Sequence, residues 1–381
     1  MRSNSLESLT LAVGAIVAGL GLFGVFVAAL GHNPLEVFKT IFEGGFASGF
    51  AWQNTLLRAA PLLLTGLAVA IPAQAGLVVI GGEGALALGG LAAAAVAIPL
   101  ASSGPIGVRL GGVMFGAAAG AAWFALIGWL RVRRGLNETI SSLLLSYIAI
   151  AIFNHIVEGV LRDPASLNKP STFPIAAENM IPALPGIDIH WGLPIGIVLC
   201  VIAQIVLSRT TWGFSLRVAG GNARAARLVG LPFAKLLIVA CALGGAAAGI
   251  AGSIEVMAVH GAANAAVLAG YGFTGILVAF MARQQPLAVI PVAILMGGIA
   301  AAGSLLQRRL DLPDATTQVL QGLLFISILT SETLTGRLVK ARAVSAVAAV
   351  PAAATSTTGA TGGSDPRGDS AAVAAQPEAG A

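Results

Sequence analysis

Long apolar runs, broken by short polar stretches, set the pattern of this chain. The clearest are Leu9–Leu30, Leu56–Ile71, Leu77–Leu100, Val108–Leu130, Ile140–Ile156, Leu193–Leu207, Leu236–Val259 and Leu287–Leu306; Gly272–Met281 and Val319–Leu329 are shorter. A helix needs about 20 apolar residues to cross a hydrocarbon core, so the pattern predicts about ten helical spans. The expected fold is an all-α membrane protein, a polytopic bundle of transmembrane helices.

Composition agrees. Only 10% of residues are charged and 57% are hydrophobic, with a mean hydropathy of +0.90. A soluble domain carries about 25% charged residues, so this chain has too little polar surface to face water. Leu9–Leu30 is longer than the apolar core of about 7–15 residues in a cleaved signal, and it reads as a retained first span. Cys200 and Cys241 fall inside apolar runs and read as small core residues rather than a disulfide or zinc site.

The charges are distributed unevenly. Arg131, Arg133 and Arg134 follow the fourth run; Arg209, Arg217, Arg224, Arg227 and Lys235 follow the sixth; Arg337, Lys340 and Arg342 follow the last. The loop 158–191 mixes Arg162 and Lys169 with Asp163, Glu178 and Asp188. The positive-inside rule places the three basic segments, and with them both termini, in the cytoplasm. The sequence pI of about 9.8 then reports topology and gives no reason to expect nucleic-acid binding. Residues 1–343 form the expected transmembrane domain. Residues 344–381, rich in Ala, Gly, Ser, Thr and Pro, form an expected disordered cytoplasmic tail.

Several chemistries find no support. The dipeptide Gly-Lys is absent, which excludes the phosphate-cradling Walker A loop. His32, His155, His190 and His260 are scattered, with no i, i+4 pair for a helix-borne metal. No nucleophile elbow or triad spacing appears, so the chain does not read as an enzyme.

"LRVAGGNARAARLVGLPFAK" is the most informative polar segment. Asn222 suits an N-cap, Gly230 a C′ position, and Pro232 stops continuation, which predicts a helix of about two turns over 222–230. Its apolar side is small (Ala225, Ala226, Val229), with Arg224 and Arg227 adjacent at i, i+3. Taken alone, it is equally a solvated basic loop.

This segment resembles the coupling-helix motif of ABC importer permeases, Asn-Pro-Glu-Ala-Ala-Arg-x-x-Gly. Asn222, Ala225, Ala226, Arg227 and Gly230 match it, while Ala223 and Arg224 replace Pro and Glu. "LLRAAPLLLTGLAVAIPAQAG", "IGGEGALALGGLAAA", "RGLNETISSLLLSYIA" and "GYGFTGILVAFMARQQPLAVIPVAILMGG" resemble, in order, segments of the nucleoside and simple-sugar branch, which is related to branched-chain amino-acid and ribose permeases. Ala85, Val78, Val79, Thr274 and Ser146 depart from residues common there. The resemblance implies a permease subunit in a prokaryotic inner membrane. Its implied partners are an ABC ATPase that binds ATP and Mg, a second permease subunit (a paralogue), an extracytoplasmic substrate-binding protein and membrane lipid. The chain itself would carry no cofactor or metal. The implied cargo is a nucleoside first, then a pentose or other simple sugar.

An acid inside a membrane is a functional candidate. Glu83, between Gly82 and Gly84, reads either as lining the substrate path of a glycine-broken helix or as a structural acid bonded to backbone donors or to Arg58. Glu255 is expected near the outer interface, partly hydrated. Tyr271 and Phe273 could stack on a base or sugar, or anchor at the interface. Asn137 and Glu138 read as the cap and first-turn acid of a helix. Gly112, Gly116 and Gly120, and Gly245 with Gly249, form rows that let helices approach closely.

Two other classes compete with an ATP-driven permease. One is a secondary transporter using Glu83 and Glu255 for protons or Na⁺. The other is a membrane scaffold that moves nothing.

Overall fold

The computed structural model describes the backbone of residues 2–348 and the side chains of residues 14–331. The described elements are almost all helical. They are α1 (Arg2–Ala29), α2 (Pro34–Phe46), α3 (Gly49–Ala73), α4 (Gly82–Ala97), α5 (Gly104–Arg134), α6 (Glu138–Glu158), α7 (Gly192–Arg209), α8 (Thr211–Gly221), α9 (Ala223–Leu228), α10 (Phe233–Ile254), α11 (Tyr271–Met281), α12 (Pro286–Leu310) and α13 (Ala315–Ala348). A small antiparallel hairpin, β1 (Ala183–Leu184) and β2 (Ile187–His190), lies between α6 and α7. The compact unit ends at Glu332. The expected tail over 344–381 lies outside the described residues from 349 onward.

Among the described residues six helices are long and apolar enough to cross a membrane, or seven if α1 and α2, bent by 116°, count as one broken span. This is fewer than the ten expected. The shortfall has a local cause. The run Leu77–Leu100 is not one helix: its first residues, 77–81, lie outside any helix, and α4 begins only at Gly82 and is 16 residues long. Val78, Val79 and Ile80 are β-branched and Gly81 and Gly82 weaken a helix, so non-helical backbone is favoured where it can be bonded. Gly272–Met281 likewise lies within a helix of 11 residues, α11.

Burial separates the helices by role. The most apolar window of α3 is 78% buried, against 28% for α5 and for α6. α3 is thus the apolar-all-round centre of the bundle, while α5 and α6 turn Met114, Phe115, Ile140, Leu144 and Ile148 outward. Cys200 and Cys241 are free and buried, as core residues.

The glycine rows find their partners within the chain. A Cβ on Gly120 would lie 2.9 Å from the Gly249 Cα, and one on Gly245 would lie 2.9 Å from the Gly120 carbonyl carbon. α5 and α10 therefore touch backbone to backbone, with Gly89 of α4 against the same Gly249. Small residues give this approach where apolar burial offers little drive between helices. Ser253 sits in the same seam and donates to the Gly249 carbonyl at 2.9 Å.

Two ends of the bundle can be told apart by contacts. At one, Gln74 donates to the Gln284 carbonyl at 2.9 Å, Gly76 lies against Gly220 at the end of α8, just before α9, and Thr139 at the start of α6 donates to the Val78 carbonyl. At the other, the Ile181 N–H donates to the Met257 carbonyl and Arg109 to the Glu178 carbonyl. The hairpin belongs to that second end.

Candidate functional site

The site is built from two interrupted elements. Residues 77–81 run as non-helical chain into α4, and the loop after residue 260 runs into α11. The two helices start beside each other inside the bundle: a Cβ on Gly82 would lie 3.2 Å from the Gly272 carbonyl oxygen. Unsatisfied N–H groups and a partial positive charge therefore converge at one point.

Glu83 answers both. Its Oε1 accepts the Gly270 N–H at 2.9 Å and its Oε2 accepts the Gly272 N–H at 2.6 Å. Gly270, at φ +84°, occupies a left-handed conformation that glycine adopts without strain. The Glu83 side chain is enclosed, with the residue only 2% exposed. Of the two structural partners expected for this acid, backbone donors and Arg58, the backbone donors are the ones in place.

Side chains of α6 bond this non-helical segment and the first turn of α4. Thr139 donates to the Val78 carbonyl at 2.9 Å, Ser142 accepts the Ile80 N–H at 2.9 Å, and Ser146 accepts the Gly84 N–H at 2.8 Å. Sequence reasoning missed these residues as a group. The signal was there: Thr139, Ser142 and Ser146 repeat at helical spacing and so share one face. Asn137 caps α6 as expected, accepting from Thr139 and Ile140 N–H.

Two cavities flank the joint, and Ala269 lines both. The first, of about 550 Å³, is lined by Val78, Phe273, Thr274, Phe280, Gln318, Gln321 and Phe325, among others. Phe280 and Phe325 meet edge to face at 5.9 Å. The second, of about 560 Å³ at the hairpin end, is lined by Asn54, Arg58, Asp188, His190, Glu255, His260 and Tyr271, among others. Of the expected pathway residues, Phe273 lines the first cavity and Tyr271 the second. Glu83, Gly82 and Gly84 line neither; Glu83 and Gly82 meet α11 between them, while Gly84 faces Ser146 of α6. Glu255 is 2% exposed, so the expected partial hydration gives way to enclosure against the second cavity. Arg58, expected as a partner of Glu83, shares that cavity with Glu255.

At the opposite end, Asn222 caps α9, accepting from Arg224 and Ala225 N–H at 3.0 Å each. Gly230 follows at φ +76°, the left-handed geometry expected of it. α9 is shorter than expected, at six residues. Its face also differs: Ala226 is buried against its own chain, and the apolar positions turned outward are Leu228 (81% exposed) and Val229 (70%). Arg227 does not stand free beside Arg224, because its guanidinium lies 4.8 Å from the centre of the Phe233 ring. Among the described residues no three His, Cys, Asp or Glu side chains gather as a metal site.

Residues 52–329 match the family described as branched-chain amino acid transport system / permease component. The chain belongs to this family. The permease is also similar to curated relatives along most of its length. It is 32% identical to the glucose ABC transporter permease protein of Haloferax volcanii, over 83% of this chain and 86% of the relative. It is 28% identical to a guanosine ABC transporter permease protein of Bacillus subtilis, over 83% and 92% respectively. It is 25% identical to a nucleoside ABC transporter permease protein of Lactococcus lactis subsp. cremoris, over 87% and 93%. It is thus a multi-pass ABC transporter permease of the nucleoside and sugar type, a transport component with several apolar helices.

Proposed function

We propose that this permease forms one half of an ATP-driven import path for nucleosides, with simple sugars as the second reading. The first cavity carries the preference. It joins aromatic rings (Phe273, Phe280, Phe325) with two side-chain amides (Gln318, Gln321) in a space the size of a small-molecule site. Rings stack on any base and amides pair with base edges. The glucose relative supports the second reading.

The remaining parts follow as one scheme. The six long helices, the bent α1–α2 pair and the three shorter apolar helical stretches amount to ten crossings, with α9 and both termini on the cytoplasmic side. A separate ATPase docks on the coupling segment Asn222, Arg224, Ala225, Ala226, Arg227 and Gly230, and holds the ATP and Mg; this chain needs no cofactor of its own. The exposed Leu228 and Val229 extend that surface. A second permease subunit completes the path. The paired guanosine permease relatives of Bacillus subtilis favour a paralogue in that place. A substrate-binding protein delivers cargo at the hairpin end, in a prokaryotic inner membrane.

Transport then requires that the ATPase favour one state of the path over another, since a partner with equal affinity for both shifts nothing. Glu83 holds the partition between the two cavities through Gly270 and Gly272, so a change of state must move or release that joint. The test is uptake of labelled adenosine and labelled ribose by cells expressing the permease with its candidate ATPase and binding protein. Adenosine uptake lost with an inactive ATPase is the expected result. Uptake that persists without ATP hydrolysis, and collapses with an uncoupler, would instead establish a secondary transporter.

A further inference from the structure

The second cavity owes its chemistry to a local irregularity. Residues Glu255–His260 form a turn of π-helix at the end of α10. In an α-helix, residues five apart point to different faces, because a turn takes 3.6 residues. The π turn stacks them instead, and it brings the His260 Nε2 to 3.6 Å from the Glu255 Oε2. Such turns often sit at functional sites. Arg58 of α3, Asn54, and Tyr271 at the start of α11 line the same space.

His190 supplies a second, independent observation. It is only 4% exposed, its Nδ1 accepts the Gly192 N–H at 3.1 Å, and its Nε2 has no hydrogen-bond partner among the described residues. Burial holds its pKa below the ordinary value, so the ring is neutral and carries its proton on Nε2. A buried donor with no acceptor costs free energy until something accepts from it. The cavity therefore offers carboxylate acceptors, guanidinium and imidazole donors and one aromatic face. The charges of Arg58 and Glu255 offset each other, which suits an uncharged, hydroxyl-rich guest.

We propose that this cavity is a docking site for a polyhydroxylated ring, the ribose of a nucleoside or a free hexose. Glu255 accepts from neighbouring ring hydroxyls, Arg58 and His190 donate to the others, and Tyr271 covers the ring's apolar face. The proposal rests on the reading of the cargo as a nucleoside or sugar, and it deepens that reading by locating the part of the cargo that both share.

A cysteine reporter tests it. Val259 lines the cavity at 49% exposure, and both native cysteines are buried, so Val259→Cys gives one accessible thiol for a small maleimide. The assembled complex is labelled in the presence of adenosine, 2′,3′-dideoxyadenosine, ribose, glucose or leucine, and ATP-dependent uptake of each compound is measured in parallel. Adenosine, ribose or glucose at ten times its dissociation constant is expected to slow labelling about tenfold by mass action. The dideoxy compound should slow it far less, and Glu255→Gln on the same background should erase the protection. Uptake with unchanged labelling would overturn the site alone. Protection by leucine, or equal protection by adenosine and its dideoxy analogue, would also overturn it, since Arg58 and Glu255 would then be holding a zwitterion or a surface without hydroxyls. Absence of uptake for all five compounds would remove the cargo reading on which the site rests.

Discussion

The Glu83 carboxylate on α4 accepts the N–H of Gly272 on α11 at 2.6 Å, across 189 residues of sequence. Together with the bond to Gly270, this makes one acid the cap of a helix that is not its own. Glu83→Gln keeps one acceptor oxygen and turns an amide NH₂ toward a backbone N–H. Leaving a buried donor unsatisfied costs about 1–3 kcal/mol. The thermal unfolding midpoint in detergent is expected to fall, with a larger fall for Glu83→Ala. An unchanged midpoint in both variants would remove the capping role.

Gly120 and Gly249 place α5 and α10 in backbone contact. Gly120→Ala puts a methyl group where the Gly249 Cα lies 2.9 Å away, and overpacking of this kind costs about 1–3 kcal/mol. The yield of monodisperse protein should drop. Gly21→Ala, with nothing within 4 Å of the added atom, is the control and should behave as wild type. Equal yields for both would show that the seam can open without penalty.

Leu228 of α9 stands 81% exposed. Replacing it by Asp removes no internal packing. Expression and melting should therefore stay unchanged, while co-purification of the ATPase and ATP-driven uptake both fall. Retention of the ATPase at the wild-type level would place the docking surface elsewhere.

His190 links stability to acid. Its folded pKa lies below the ordinary value because burial disfavours the charged ring. The unfolded chain therefore binds more protons as pH drops below about 6.5, and stability present above that value is lost on the way down. The unfolding midpoint of the wild type should fall between pH 7.5 and pH 5.5, and the fall should be smaller in His190→Gln. Parallel curves for the two proteins would show that other groups set the slope.

What could be read from the chain was what depends on near neighbours and on solvent. Asn137 and Asn222 cap helices because their side chains reach N–H groups two and three residues ahead. Gly230 is left-handed because the chain must turn there. The membrane class follows from a charge content too low for water. The glycine rows announced close helix contact, though not with which helix.

What the tertiary structure decided lies farther apart along the chain. Residues 77–81 have the apolar composition of a span, and the hydroxyls of Thr139 and Ser142 on α6 bond them outside any helix, while Ser146 takes the Gly84 N–H of the first turn of α4. From the sequence Glu83 reads either as lining a path or as a structural acid, and the backbone groups it bonds lie 187 and 189 residues away. Glu255 and His260 share a face only because α10 ends in a π turn, which no regular period anticipates. A cap or a composition is set by contacts within a few residues. The partner of a buried acid is set by which backbone donors the packed bundle leaves unsatisfied beside it, and that is known only once the helices are in place.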